Sequence, residues 1–182
     1  MRIEPIEIFD KQGRRVILRS ACEDDAKDLI KYLKKTAKET PYLLREEDEI
    51  NLAVEDEKGF INMRLEMDKA LMLLAYVDGK HVGCCSFSPV APFKRLAHRC
   101  GMSIALYQEY WGCGIGSIML ETALRYAKEV GYEQVELEVV SSNTKAIKLY
   151  EKYGFKKYGT KPDNMKYSDG SYASTDWMMV KL

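Results

Sequence analysis

One turn constrains this chain more than any other feature. Tyr110-Trp111-Gly112-Cys113-Gly114-Ile115-Gly116-Ser117 follows a strand-like run and opens a helical one. Glycines at such a junction let the backbone come close to a ligand, and the free N–H groups of a helix start attract an anion. Two better-known phosphate motifs do not fit. A P-loop needs lysine after its last glycine, and Ser117 follows Gly116. A dinucleotide fingerprint needs Gly-x-Gly-x-x-Gly. Counting from Gly112 puts Ser117 at the third glycine position, and counting from Gly114 puts Met119 there. Only one β-α-β crossover is visible, where a dinucleotide fold needs several. The turn therefore reads as an anion cradle in a mixed sheet.

The elements around it follow from periodicity. Residues 15–19 read as a strand. Ser20 to Asp25 reads as a helix start, and Ala26, Leu29, Ile30 and Leu33 recur at helical spacing up to about Lys38, before Thr40-Pro41 ends the run. A second helical stretch covers about 46–67, with Ile50, Val54, Ile61 and Leu65 as its apolar stripe and a break expected at Gly59. Residues 70–77 and 81–90 are strand-like around the hairpin signal Asp78-Gly79, and a third strand runs over 98–107. A helix then reaches Val130 and is closed by Gly131; 134–141 is a strand; Asn143 opens a short helix that Gly154 closes. Strands at 155–160 and 172–181 end the chain as an antiparallel pair. No repeat or linker interrupts this order, so residues 1–182 read as one domain. The fold class is α/β (α+β): a mostly antiparallel sheet of six to seven strands with one parallel joint and about four helices.

Composition narrows the partners. Lys plus Arg and Asp plus Glu both number 28, so the formal charge is zero. Nucleic-acid binding as the main task needs a basic surplus. No apolar run approaches the roughly 20 residues that span a bilayer, and the N-terminal residues lack a signal-peptide core. The five cysteines contain no C-x-x-C pair, and His81 and His98 are the only histidines, so no usual metal spacing is present. Cys84 and Cys85 read as buried thiols of a reducing cytosol, which makes the expected location cytoplasmic.

The second signal is Asn143-Thr-Lys-Ala-Ile-Lys-Leu-Tyr150-Glu-Lys-Tyr-Gly154-Phe155. Asn143 and Tyr150 share one helix face, two turns apart. Together with Ile104-x-Leu106-x-Gln108-x-x-Trp111-x-x-Gly114-Ile115-Gly116 and the strand between them, this segment resembles the GNAT superfamily of N-acetyltransferases. The resemblance covers about 75–182 in order and spacing. It is similar in detail to the small-molecule and ribosomal-protein N-terminal branches, which carry Tyr-Trp-Gly before the glycines. The chain departs from the wider family in having Trp111 where Arg or Gln is common and Gln108 where Pro is common.

The resemblance implies the following. Acetyl-CoA, used without metal, lies between strands 100–107 and 134–141, which splay apart. The main chain of Ile104 and Leu106 pairs with the pantetheine arm. The N–H groups of Trp111, Gly112, Cys113, Gly114, Ile115, Gly116 and Ser117 hold the pyrophosphate, and Asn143 bonds the pantetheine chain. Tyr150 is the general acid for the leaving thiolate, and the N–H of Leu106 serves the oxyanion. Glu138, in Leu137-Glu138-Val139, matches the base of the branch that acetylates a ribosomal-protein N-terminus. His98 and a water relay are the alternatives. Glu136 shares a strand face with Glu138, so one of the two is expected to be a plain edge charge. The acceptor is a primary amine, either a small amine or a protein or peptide N-terminus. The acidic runs Glu46-Glu47-Asp48-Glu49 and Glu55-Asp56-Glu57 point to a cationic one. A homodimer is left open. The rival reading is a coenzyme A-binding sensor or interaction module without turnover.

Overall fold

The computed structural model describes residues 1–182. Eight strands form one sheet: β1 (Ile6–Phe9), β2 (Arg15–Ser20), β3 (Leu71–Val77), β4 (Lys80–Pro89), β5 (Arg99–Leu106), β6 (Gln134–Val140), β7 (Lys156–Lys166) and β8 (Tyr172–Lys181). Their order across the sheet is β1-β2-β3-β4-β5-β6-β8-β7, and every pairing is antiparallel except β5 with β6. Four α-helices accompany them: α1 (Ala26–Glu39), α2 (Val54–Glu66), α3 (Ile115–Glu129) and α4 (Thr144–Lys152). None is long and apolar enough to cross a membrane.

The expected order of elements holds, with three differences. β1 is an additional strand. It is only four residues long and pairs with β2 through a turn in which the Asp10 carboxylate accepts from the N–H groups of Gln12 and Arg14. The second helical stretch breaks before Val54 rather than at Gly59: a single turn at Glu47–Glu49 is followed by extended residues, and α2 runs unbroken through Gly59. One glycine costs a helix about 1 kcal/mol. That loss is offset where Ile61, fully buried, anchors the same helix. β7 continues past 160 to Lys166, across Pro162, because it is the sheet's edge and needs hydrogen bonds on one side only.

Local signals fix the two helices that carry the site. α3 ends at Gly131, whose φ of +86° is open to glycine at little cost; the N–H of Tyr132 then returns to the carbonyl of Ala127. α4 ends the same way, with Gly154 at φ +85° and the N–H of Phe155 donating to the carbonyl of Tyr150. This turn folds Phe155 back beneath Tyr150, with ring centroids 5.7 Å apart. At the other end, the Asn143 side-chain oxygen accepts from the N–H of Ala146.

The sheet is buried on both faces. Phe87 of β4 is fully buried and meets Tyr132 at the end of α3 edge-on, while Cys85, two residues earlier, lies on that same face near Tyr150. Cys84 faces the opposite side, where Tyr32 of α1 and Arg64 of α2 approach it. α3 and α4 therefore cover one face, and α1 and α2 cover the other. Burial pushes the Cys84 thiol up to about 12 and the Cys85 thiol higher still, so both stay as neutral packing groups. All five cysteines are free.

Candidate active site

The single parallel pair is the centre of the site because it is incomplete. β5 and β6 are in register only from Arg99 with Gln134 to Gly101 with Glu136. Beyond Gly101 the strands part, while β5 stays paired to β4 as far as Leu106 with Gly83. The N–H of Tyr107 donates to Val82 of β4, and the N–H of Gln134 donates to His98. Main-chain groups alternate in direction along a strand. The N–H groups of Ile104 and Leu106 on β5, and those of Glu138 on β6, therefore face the open wedge. An extended chain with amide groups can pair there as an added strand.

The wedge leads to the glycine turn. Gly112 and Gly114 have φ of +78° and +90°, and Gly114 is the cap of α3. From Gly112 through Ser117 no N–H donates to any protein atom; the first helical bond is from Ile118 to Gly114. This run of free donors at a helix start suits an anionic diphosphate. Trp111 differs. Its own N–H is taken by Gln108, and its indole N–H donates to the carbonyl of Leu106 at 3.0 Å, tying the turn to the end of β5. The Cys113 side chain is buried against the Trp111 carbonyl. Gly116 sits under Leu106 and Leu149, where a Cβ would lie 3.4 Å and 3.7 Å from their methyl carbons.

Sequence reasoning missed one neighbour of this turn. The hairpin between β1 and β2 docks on it: the N–H of Lys11 donates to the carbonyl of Cys113 at 2.9 Å. The Lys11 stem lies across Gly114, its Cγ 3.0 Å from where a Cβ would be. Its ammonium makes no ion pair in the protein. Arg14, beside it, is paired to Asp10 and stacks over Tyr110. No local pattern marks Lys11, since more than a hundred residues separate it from Cys113.

Tyr150 is 7% exposed and its hydroxyl has no hydrogen-bond partner. Burial holds its pKa well above the ordinary tyrosine value, so it remains a proton donor throughout the neutral range. Asn143, two turns earlier on α4, uses its side-chain oxygen as the cap and keeps its amide N–H groups free.

On the α1/α2 face a cleft of about 430 Å³ opens at the apex of the wedge, lined by Ser86, Ser88, Ser103, Glu136, Glu138 and Trp177 among others. The two glutamates are resolved here. Glu136 is buried and held by both ends of the Arg99 guanidinium, which lowers its pKa. Glu138 is exposed to the cleft; one oxygen accepts from Thr175 and from Asn164 at 2.6 Å, and the other lies 3.6 Å from Lys161. His98 stands at the paired end of β5 and does not line the cleft. The acids Glu46 to Asp48 do not line it either; they border a separate open depression with Lys34 and Asn51. No group of side chains could hold a metal ion.

Comparison with known proteins agrees with this geometry. Residues 30–155 match the family model described as the acetyltransferase (GNAT) family. An N-alpha-acetyltransferase of Saccharolobus solfataricus is 32% identical over 178 residues, covering 92% of this chain and 96% of that protein. The N-alpha-acetyltransferase of Sulfurisphaera tokodaii is 35% identical over 122 residues, 63% of this chain and 72% of the relative. A solved GNAT-family acetyltransferase from Streptococcus pneumoniae superposes with a TM-score of 0.87 at 27% identity over 92% of this chain and 99% of that one. The structure of yncA from Salmonella typhimurium, solved with its cofactor acetyl-CoA, shares the fold at a TM-score of 0.81 and 17% identity, over 92% of this chain and 94% of that one. The chain belongs to the GNAT family of acetyltransferases, whose acetyl donor is acetyl-CoA.

Proposed function

We propose that the protein transfers the acetyl group of acetyl-CoA to the α-amine of a protein or peptide N-terminus, by direct attack in a ternary complex. The observation that carries this reading is a pair of unpartnered N–H sets, one at the open wedge and one at the glycine turn to which it leads. The first is Ile104 and Leu106 on β5, the second Gly112 to Ser117, and Tyr150, its hydroxyl free, lies near Cys85, the register partner of Ile104. The names of the two archaeal relatives support an α-amine over a small amine.

Each residue then has a task. The N–H groups of Gly112 to Ser117 hold the diphosphate, with Lys11 adding a cation beside them. Ile104, Leu106 and Asn143 align the pantetheine arm, and the N–H of Leu106 faces the developing oxyanion. Glu138, in the cleft on the opposite face, takes a proton from the attacking amine, directly or through water. Tyr150 gives its proton to the departing thiolate and recovers one from the nitrogen of the new amide.

The test is thiol release with a panel of acceptors at saturating acetyl-CoA. Peptides with a free α-amine should be turned over. The same peptides with a formyl cap and an internal lysine should not, and spermidine should be poor. Preference for the capped lysine peptide, or for spermidine, would overturn the α-amine assignment. Absence of thiol release with every acceptor, alongside measurable coenzyme binding, would favour a non-catalytic module.

A further inference from the structure

Glu57 stands apart among the carboxylates of the α1/α2 face. It lies on α2, is 5% exposed, and neither accepts a hydrogen bond nor forms an ion pair. The other acids of its run are exposed: Glu55 pairs with Lys58 and Glu47 with Lys38, while Asp56 reaches solvent unpaired. In the cleft, Glu136 is held by Arg99, and Glu138 by Thr175, Asn164 and Lys161. A buried carboxylate left without a partner is costly, and its pKa is raised chiefly by that burial, with only the more distant Arg45 opposing.

Its position is defined by two anchors. Arg64, seven residues later on α2, donates to the carbonyl of Phe87 on β4. Seven helical residues span about 10.5 Å. The three β4 residues from Phe87 back to Cys84 span about 10 Å, and the Glu57 charge is close enough to raise the Cys84 thiol. Glu57 therefore lies toward the Cys84 end of β4, on the α1/α2 face. Cys84 is in register with Ala105, and Cys85 with Ile104. Tyr150 approaches Cys85 from the other face. Glu57 and Tyr150 thus lie on opposite faces of the sheet, beside the stretch of β4 that borders Ile104.

We infer that Glu57 is the anchor for the ammonium group of the acceptor: the amine arrives as a cation on this face, and Glu57 is the one buried carboxylate of the protein with neither an ion pair nor a hydrogen bond. An α-amine has a pKa of about 8, so most acceptor molecules carry the charge at neutral pH. Glu57 holds the ammonium; Glu138, nearer the apex, is left to remove the proton. This deepens the α-amine reading and rests on it.

Wild-type turnover of a free-amine peptide tests that reading first, since its absence would remove the reading and not the inference alone. The inference is then tested with Glu57→Gln and Glu57→Ala. KM for the peptide should rise about tenfold or more, the size of a lost charge-assisted contact. Turnover at saturating peptide should change little, and the dissociation constant for acetyl-CoA should be unchanged. Both variants should melt no lower than wild type, because they remove an unpaired buried charge. A KM unchanged from wild type would overturn the inference. So would a fall in kcat at constant KM, which would make Glu57 a base, or a lowered melting temperature, which would make it a structural residue.

Discussion

Tyr150→Phe separates chemistry from packing more cleanly than any other change in this protein. The hydroxyl has no protein partner, so removing it orphans no donor or acceptor, and the ring keeps its contact with Phe155. Folding stability should therefore move by no more than about 0.5 kcal/mol. For a chain of this size that is about 1–2 °C in melting temperature. Loss of a positioned general acid typically lowers kcat by about 10²–10⁴-fold. At 1.36 kcal/mol per factor of ten, this is about 2.7–5.4 kcal/mol of transition-state stabilisation. The two magnitudes differ by at least fivefold, so one variant decides between the roles. The assay is stopped-flow thiol release at saturating acetyl-CoA and peptide, with calorimetry for coenzyme binding and a thermal melt for stability. Acetyl-CoA affinity should stay at the wild-type value. The raised pKa adds a second check: burial keeps the hydroxyl protonated past the ordinary tyrosine range, so no alkaline loss of kcat near pH 10 should trace to it. A kcat within about threefold of wild type, where chemistry limits the rate, would refute the acid role and leave Tyr150 as packing.

Substitutions at three other positions have expected outcomes. Gly114→Glu should abolish coenzyme binding, because it sets a negative side chain against the diphosphate. Gly114→Ala should fold with a loss of about 1–2 kcal/mol, since the residue sits at φ +90° and only the flexible Lys11 stem must yield. Urea melts and calorimetry read both. Lys11→Met keeps the stem over Gly114 and the main-chain bond to Cys113. It should weaken coenzyme A and 3′-dephospho-coenzyme A alike, by about tenfold at low salt, and leave pantetheine unaffected; a loss confined to coenzyme A would move the contact to the 3′-phosphate. Asp25 accepts from both guanidinium nitrogens of Arg19, from Tyr76 and from the N–H of Cys22. Burial pushes its carboxyl up, but these bonds outweigh it and hold it well below the usual carboxylate value. A depressed folded pKa gives stability above the unfolded value of about 3.9 that is lost as pH falls. Asp25→Asn should therefore cost about 3 kcal/mol at pH 7, and the gap to wild type should narrow below pH 4 in urea melts.

The sequence alone determined the parts of this protein that short stretches of chain decide. Gly131 and Gly154 end their helices because the left-handed turn after each is open to glycine at little cost. Asp78-Gly79 makes the hairpin for a related reason. The glycine turn and the Asn143–Tyr150 face could be located because strand, turn and helix follow one another without a gap. Tertiary structure decided what depends on residues far apart in the chain. β1 is too short to stand out by itself and exists through its pairing with β2, which brings Lys11 onto Gly114. The depth of the wedge is set by where β6, paired with β8 along its whole length, parts from β5, which nothing within β5 encodes. Glu136 and Glu138 are equivalent by spacing and became different when Arg99 claimed one and Thr175 and Asn164 claimed the other. Glu57 read as one more acid in a charged run, although it stands one helical turn before the buried Ile61. A run of like charges looks solvated until packing shows which member has been drawn under the helix. Burial and partnership arise between elements, and periodicity within one element reports only which face turns inward.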